Sequence, residues 1–451
     1  MREGSSYFGT KDEKLIDLGE YALNHAKKLG ADESKVLISQ AQEKRLVVEN
    51  NEFTTAMSDK AERLSVTVHK DFRKGTSSIN SFSGKDSETA VRSAIEISGF
   101  SIVDNDLNFP DAALAPRAER LGFLYDENVK ELSMDQIQET MSDILEIFRS
   151  DSRICIDRYE MTIDVLRNAL LNSHGVRQIE DQTMVGWDFM GMTRDGTEVS
   201  SMDYDGGFSY KVEGYREKVL KDAQAFMKKI LGNLKPRRCP IYKGALIFSP
   251  RAVESILLDC WLYHIEGRQV MDGKSRWKEC VGKKVVSKQI ALWDTPHVEN
   301  LHGSTSFDDD GIPTKTMPVI ENGRLLLHLH DCYTARKTGN IPKGTAGGPF
   351  AIHLKGGDVG IEDLCRYKKE ILYVDRFSGN LDVLTGDFSG VAKSSRLIAN
   401  GEDAHALTET MIAGNVFDIS GKIIGISREE EIVSGFLRCP HVLLKGVEVS
   451  G

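Results

Sequence analysis

Residues 255–267 read Ser-Ile-Leu-Leu-Asp-Cys-Trp-Leu-Tyr-His-Ile-Glu-Gly, a helical stretch within a half of the chain that is otherwise rich in turns. Val253, Ile256, Leu257 and Leu262 recur at helical spacing, which predicts one buried helix over residues 250–266. Of the 40 glycines in the chain, 24 lie beyond residue 235, so short strands joined by turns are expected around this helix. The sequence therefore predicts a strand-rich C-terminal domain, barrel-like or sandwich-like, with one buried helix.

The first half of the chain has a different pattern. Leu64, Val66 and Val68 alternate as one buried face of a strand requires, and residues 133–136 fit a capping box at the start of an amphipathic helix. A Pro-bounded basic segment at 234–240 is typical of a linker. We therefore expect an α+β protein with two domains. The first, 1–235, is an N-terminal domain of α/β type with a mixed sheet and helices, and the second, 236–451, is the strand-rich domain.

Composition excludes several functional classes. The 451 residues carry a net charge of −10, which gives the chain no electrostatic attraction to nucleic acid or to an anionic membrane. The seven cysteines are widely spaced, odd in number and without a Cys-x-x-Cys pair, which favours reduced thiols over a disulfide framework. Residues 1–14 are polar and lack the apolar core of a signal peptide. A cytoplasmic location is expected.

Two polar groups in the second half have alternative interpretations. His328 and His330 stand two residues apart and could share one face of a strand, either as metal ligands or, more commonly, as a hydrogen-bonded rim. Asp308-Asp309-Asp310-Gly311 lacks the oxygen spacing and distal Glu of a calcium loop, so an Asp/Gly turn is predicted.

A series of short motifs then resembles one known family. Ser306-Phe-Asp-Asp-Asp-Gly-Ile-Pro-Thr314 is similar to a serine–phenylalanine–acidic–glycine motif of the TldD/PmbA family. Further matches follow in the family's order, at 333–339, 344–348, 385–390, 398–402 and 409–415. Residues 64–78 and 172–175 in the first half resemble its strand–turn–strand and its small polar turn. The resemblance covers most of the chain and rests on the number and order of the motifs.

The resemblance implies two kinds of subunit. The TldD type carries His-Glu-x-x-x-His on a helix and acts as a zinc peptidase, whereas the PmbA type, also called TldE, is a homologous partner without that signature. Such pairs act on short or unfolded peptides, and the older label "modulator of DNA gyrase" belongs to the same family. Direct binding to gyrase or DNA is disfavoured here by the acidic charge.

The helix quoted above is where the family's signature would lie. Aligned on its leucines and on Glu266-Gly267, the first histidine becomes Asp259, the glutamate becomes Cys260, and only His264 is kept. A hydrolytic zinc needs about three protein ligands, an open position for water and a base. Residues five apart lie about 140° apart around a regular helix, and the sequence gives no sign of a distortion that would bring them together. These three positions are interpreted as a degenerate signature.

The predicted function is therefore a metal-free PmbA/TldE-like subunit, with no cofactor of its own. It would form a heterodimer with a TldD-type chain that holds zinc, bind peptide substrates, and use its C-terminal half for the interface. His264, Glu266, Arg268, His328 and His330 are the candidates for lining a substrate cavity. One alternative is a self-contained metallopeptidase using Asp259, His264 and Cys439. Another is a homodimeric peptide-binding protein.

Overall fold

The fold is described from a computed structural model, which describes residues 12–239, 242, 244–408 and 410–450. Three predicted features fall partly outside these ranges, because the polar N-terminus includes residues 1–11, the linker includes Pro240 and the last motif includes Glu409. The α+β class predicted from the sequence is confirmed.

The first part of the chain forms a wide sheet from long strands. Apolar side chains alternate along them, and the predicted alternation of Leu64, Val66 and Val68 is buried as expected. In the described part the strands are β1 (Glu33–Glu49), β2 (Glu52–Lys70), β3 (Arg73–Ile79), β4 (Ile154–Asn172), β5 (Arg177–Asp195), β6 (Glu198–Val199) and β7 (Asp203–Ser209). The order is β3-β2-β1-β4-β5-β6, with β7 also on β5.

The pairing in this first sheet corrects one detail of the prediction. Each of its described strand pairs is antiparallel, so the sheet is not mixed. Antiparallel strands can leave one face of a sheet free of helices, because short turns instead of crossover helices can join them. That property is what makes one face of this sheet available to the second domain.

Helices bury their apolar sides on the other face of the sheet. They are α1 (Asp12–Lys28), α2 (Gly84–Phe100), α3 (Glu127–Glu131), α4 (Met134–Arg149) and α5 (Tyr215–Gly232), with a 3₁₀ turn at Gly122–Leu124. The predicted capping box starts α4, where the Ser133 and Gln136 side chains each accept a backbone N–H. α1 and α2 pack on the end of the sheet near Val36 and Ile38, whereas α4 and α5 pack on the end near Trp187.

The second part of the chain is rich in short strands, as predicted. They are β8 (Arg237–Arg238), β9 (Ala245–Phe248), β10 (Leu292–Asp294), β11 (Met317–Glu321), β12 (Arg324–Leu325), β13 (Ile352–Leu354), β14 (Glu370–Val374), β15 (Arg376–Leu381), β16 (Asp387–Lys393), β17 (Arg396–Ala399), β18 (Glu402–Thr408), β19 (Thr410–Asn415), β20 (Ile423–Val433), β21 (Leu437–Lys445) and β22 (Glu448–Ser450). Within the described ranges, β15, β16, β19 and β22 form one sheet and the others an 11-stranded sheet.

The predicted buried helix lies between these two sheets. It comprises α6 (Pro250–Ala252), a π-helical turn (Val253–Leu258) and α7 (Asp259–Ile265), and we call residues 250–265 the signature helix. Its apolar side chains share one core with Leu246 of the large sheet and Phe388 of the small sheet. The remaining helices are α8 (Gly267–Met271), α9 (Cys332–Thr338), α10 (Ile361–Cys365) and α11 (Val416–Ser420).

The proposed boundary at residues 235 and 236 falls between the two sets of strands. Strands up to β7 pair with one another, and strands from β8 onward pair with one another. We retain 1–235 and 236–451 as the proposed domains. None of the helices in the described ranges has both the length and the apolar character needed to cross a membrane.

Candidate functional site

The signature helix is distorted, contrary to the expectation from its sequence. Ser249 caps its start by accepting the N–H groups of Arg251 and Ala252, with Pro250 at the first helical position. A π-helical turn follows, in which the Asp259 N–H donates to the Glu254 carbonyl instead of to the carbonyl four residues back. Such turns are rare and occur frequently at functional sites. This irregularity covers residues 253–258 and so precedes the signature positions.

The distortion does not bring the degenerate signature positions together. The π-helical turn ends at Leu258, so Asp259 and His264 both lie in the regular α7 and point about 140° apart. Asp259 is exposed, although neighbouring protein atoms displace enough water to raise its carboxyl pKa. His264 is fully buried. One ion cannot contact both side chains in this arrangement.

Cys260 occupies the position of the general base. Its side chain is fully buried and its Sγ donates to the Val383 carbonyl at 3.5 Å. Burial raises the pKa of this thiol to about 12. The group is therefore a neutral thiol at pH 7, and it cannot accept the proton of an attacking water.

His264 is held in a form that leaves no lone pair for a metal. Its Nδ1 accepts the backbone N–H of Arg276 at 3.1 Å, which assigns the ring proton to Nε2. Burial lowers the pKa of the imidazole to about 4, so the ring is neutral. Tyr263, Trp277 and Phe417 pack around it with ring centroids between 5.1 and 6.0 Å away. The histidine is an aromatic core residue.

Cys439, the third residue of the alternative metal site, is also buried. It lies in β21, its Sγ donates to the Pro440 carbonyl at 3.4 Å, and burial raises its thiol pKa well above the usual range. In the part of the chain that the structure describes, no group of three or more His, Cys, Asp or Glu side chains is arranged to hold a metal ion. The donor set does not fit the zinc that the family's active subunit implies.

The other predicted cavity residues gather at the end of the signature helix. Glu266 leaves the helix with an extended backbone and bridges to Leu329, so that His328 and His330 flank the same contact. Their rings lie 6.0 Å apart, and His328 Nε2 is hydrogen-bonded to the Trp277 carbonyl at 3.0 Å.

These two histidines match the interpretation as a hydrogen-bonded rim. His330 Nδ1 pairs with the Thr334 hydroxyl at 3.2 Å, and burial lowers the pKa of its ring to about 4.

Arg268 is exposed and pairs with Asp272 at 3.2 Å. The structure thus brings His264, Glu266, Arg268, His328 and His330 into one region, but they do not line the cleft described next.

A cleft between the two proposed domains runs along the face of the first sheet opposite the core of its helices, and the C-terminal part of α5 lines its larger end. It consists of adjacent cavities of about 540 and 950 Å³ that share His302. Alternate residues of β5, from Glu180 to Asp188, line the cleft, the first two in the smaller cavity and the others in the larger one. This part of the strand is about 26 Å long at strand spacing. The sheet contributes residues 204–208 of β7 together with Lys35, Leu37, Ser65, Thr67, Thr162, Asn168, Leu170, Glu180, Gln182, Met184, Gly186 and Asp188. This length suits an extended peptide of about eight residues.

Hydrogen bonds across the smaller cavity fix the second domain on the sheet. Glu180 accepts the Ser306 N–H at 2.6 Å and the Thr305 hydroxyl at 2.9 Å. Tyr210 donates to the carbonyls of Leu301 and His302, which lie next to the family motif.

The acidic turn beside this cavity is structural, as predicted. The Asp308 carboxylate accepts backbone N–H groups from Asp310, Ile312 and Ala346. Burial, with a smaller contribution from Asp310, raises the pKa of Asp308 to about 7.

The larger cavity meets the start of the signature helix. Arg251, Glu254 and Ser255 line it, and Arg251 pairs with buried Asp203 at 3.1 Å. Burial alone would raise the pKa of Asp203, but Lys229 and Arg251 lower it. Burial raises the pKa of Glu254, which accepts the Ser434 hydroxyl at 3.1 Å. The polar groups of this helix that line the cleft are therefore at its first turns and not at its signature positions.

Sequence reasoning missed this cleft and its central residue, His302. The polar residues of β5 alternate with Val185, Trp187 and Phe189, a pattern that predicts a half-exposed strand and not a cavity wall. The second wall comes from residues far from β5 in the chain, such as Arg251 and His302, which no local pattern could assign.

Comparison with known proteins places the strand-rich half among metallopeptidase domains. A family profile described as "PmbA/TldA metallopeptidase C-terminal domain" matches residues 242–451. A metalloprotease of Methanocaldococcus jannaschii is 27% identical over 241 residues, covering 51% of this chain and about half, 53%, of the relative. A "Metalloprotease PmbA homolog" of Buchnera aphidicola is 25% identical and covers 90% of this chain and 89% of the relative. Residues 242–451 therefore belong to the TldD/PmbA family, and the similarity to a relative named after PmbA extends over 90% of the chain.

Solved structures confirm the fold over almost the whole chain. TldE from Thermococcus kodakarensis is 20% identical, with a TM-score of 0.83 over 96% of this chain and all of that one. A Thermotoga maritima structure that carries the name modulator of a DNA gyrase has a TM-score of 0.85 at 22% identity, covering 97% of this chain and 100% of that chain. Both domains therefore have the fold of these structures.

Proposed function

We propose that this chain is a metal-free partner subunit that pairs with a TldD-type zinc metallopeptidase and helps it to process short or unfolded peptides. The observation that carries the proposal is the state of His264, whose Nδ1 is engaged by a backbone N–H and whose ring is neutral and buried. Buried Cys260 and exposed Asp259 supply neither a base nor a second ligand beside it. The relatives named metalloproteases, and the TldE fold, support membership of a peptidase system.

The cleft between the domains is the proposed place for peptide. Its sheet wall offers hydroxyl, amide and carboxylate groups, including Thr67, Asn168 and Gln182, among apolar side chains such as Leu37 and Leu170. Such groups can hydrogen-bond an extended main chain without demanding a particular sequence. A cytoplasmic location belongs to the same proposal and agrees with the free cysteines of the described chain.

The test compares this chain alone, a TldD-type chain from the same organism alone, and the two together. We expect the two chains to elute as one complex, and we expect the pair to hydrolyse an unfolded fluorogenic peptide faster than either chain. Replacing His302 by Trp would fill the junction of the two cavities and lower kcat/KM without separating the subunits. Leu384→Trp, in an exposed turn outside the cleft, is the matched control.

Two results would contradict the proposal. Peptide hydrolysis by this chain alone, dependent on bound zinc, would instead favour the self-contained metallopeptidase. Failure to associate with a TldD-type chain, combined with peptide binding by the chain alone, would favour the homodimeric peptide-binding protein.

A further inference from the structure

A basic surface lies next to the end of the signature helix, on a chain that is acidic as a whole. Residues 274–288 carry six basic side chains and one acidic side chain, a local charge of +5 within a net charge of −10. All six basic side chains are exposed, and exposed Arg324 of β12 lies against the same segment. We call these seven residues the basic strip, namely Lys274, Arg276, Lys278, Lys283, Lys284, Lys288 and Arg324.

The segment that carries the strip is anchored in the core of the second domain. Trp277 and Val286 are buried and pack in the same core as the signature helix. The Arg276 N–H is the group that donates to His264 Nδ1, and the Ser275 hydroxyl donates to the His264 carbonyl at 2.6 Å. The segment that occupies the lone pair of His264 therefore also displays the basic strip.

Hydrogen bonds join this segment to the hairpin of β11 and β12. The Gly282 N–H donates to the Leu325 carbonyl at 2.7 Å, and the Leu325 N–H donates to the Lys283 carbonyl at 3.1 Å. The Arg324 guanidinium donates to the Gly282 carbonyl at 3.0 Å, and the backbone of Arg324 bridges to Lys284. Lys283, Lys284 and Arg324 are therefore held together on a fixed backbone, so a ligand that contacts them needs to order little more than their side chains.

Most charges of the strip have no intramolecular partner. Within residues 12–239, 242, 244–408 and 410–450, the strip makes a single ion pair, between Lys274 and Asp272 at 3.6 Å. Glu279 in the segment and Glu321, which faces Arg324 across the hairpin, make no ion pair with it in those ranges. Unpaired charges of one sign on one surface create a positive potential, which attracts an anionic ligand.

We propose that the basic strip binds acidic segments of the peptides that the subunit pair processes. A single exposed pair between Lys and a carboxylate stabilises a complex little, but several charges that act as a network contribute measurably. The strip offers such a network outside the residues that line the cleft. The inference rests on the proposed function for the source of the peptide, and it adds a preference for Asp- and Glu-rich substrates.

A short acidic peptide suits the strip better than a long polyanion. A 15-residue segment spans at most about 50 Å when extended, and this segment turns back on itself. A DNA duplex of about 20 base pairs is about 70 Å long and would extend beyond it. There it would meet the rest of the chain, whose charge outside residues 274–288 is −15. A short peptide instead senses charges within a Debye length, about 8 Å at physiological salt.

The experiment measures the fluorescence anisotropy of a labelled peptide of alternating Glu and Ser residues as the full chain is added. The same peptide with Gln in place of Glu is the reference ligand. We expect the Glu peptide to bind at least about 10-fold more tightly at low salt, because several ion pairs form. This advantage should disappear near about 1 M salt, where the Debye length is about 3 Å.

Charge reversal at the centre of the strip tests the assignment to these residues. Lys283→Glu/Lys284→Glu should abolish the advantage of the Glu peptide, whereas Lys368→Glu/Lys369→Glu, an adjacent exposed pair before β14, should retain it. Circular dichroism and the Tm check that each variant folds. Lys278→Gln/Lys288→Gln is a milder variant, and we expect it to lower the affinity for the Glu peptide about 3-fold.

Three outcomes would overturn the inference. The two peptides could bind equally well, or the advantage of the Glu peptide could persist in Lys283→Glu/Lys284→Glu. In the third outcome, a DNA duplex or phosphatidylserine vesicles bind more tightly than the Glu peptide and lose this binding in the same variant. The measurement uses this chain alone. Binding of the Glu peptide without association with a TldD-type chain would therefore contradict the proposed function and leave the basic strip supported as an acidic-peptide site.

Discussion

The signature helix and the cleft between the domains differ in backbone regularity and in the accessibility of their polar side chains. The signature helix keeps the distorted backbone of its π-helical turn, but its side chains at the catalytic positions are either buried or directed apart. The cleft between the domains has the opposite character, with regular strands as one wall and many accessible polar groups. The accessible polar groups therefore lie in the cleft, where we propose that peptide binds.

The largest expected effect on stability concerns Cys260, and it tests whether this signature position is closed to solvent, unlike the cleft. Replacing it by Glu, the residue of the active signature, puts a carboxylate into a fully buried site beside the Val383 carbonyl. We expect a loss of more than about 3 kcal/mol in the free energy of unfolding, because the charge has no partner there. Chemical denaturation of the variant and the wild type measures this loss in the free energy of unfolding. Ser255→Glu, at the cleft, is the control and should cost far less; equal costs would show that position 260 is accessible.

Substitution of Gly267 tests how tightly the end of the signature helix packs against the histidine rim. A Cβ atom there would lie 2.5 Å from His330 Nδ1 and 2.6 Å from the Leu329 carbonyl oxygen. We expect Gly267→Ala to lower the free energy of unfolding by about 2 kcal/mol through this overpacking. Gly421→Ala, where a Cβ atom would have no neighbour within 4 Å, should be nearly neutral. A tolerated Gly267→Ala would mean that the contact with the histidine rim is loose.

The buried state of His264 predicts a pH dependence of stability. Its pKa is about 4 in the folded chain, below the ordinary 6.5, so the unfolded chain binds a proton that the folded chain does not. This contribution lowers the free energy of unfolding as pH falls from about 6.5 to 4, by roughly 3 kcal/mol, and changes little outside that window. His264→Asn removes it, so its stability should vary less with pH than that of the wild type. The free energy of unfolding is measured by urea denaturation at several pH values. If its slope against pH is the same in His264→Asn as in the wild type, the assignment is contradicted.

The smallest expected effect concerns the cleft. His302 lines both cavities, and its backbone makes the contacts that position the second domain. His302→Ala should therefore lower kcat/KM of the paired enzyme about 10-fold by loss of a central contact, with a small change in Tm. Steady-state kinetics with a short peptide checks this expectation, and unchanged kinetics would remove His302 from the peptide path.

Local patterns predicted much of the fold. The capping box at Ser133 and the alternation around Val66 depend on neighbouring residues, so periodicity and capping rules found them. The π-helical turn could not be predicted, because the apolar spacing of the helix is compatible with a regular path. The state of His264 depends on the backbone of Arg276, and the second wall of the cleft depends on domain packing. Both are tertiary contacts that carry no local pattern.

The central claim is that this chain retains the helix of a metallopeptidase without its metal. The most direct measurement is the zinc content of the purified chain after equilibration with equimolar zinc at pH 7 and removal of free metal. We predict no stoichiometric zinc and no difference between the wild type and His264→Ala. One zinc per chain in the wild type, lost in His264→Ala, would contradict the claim.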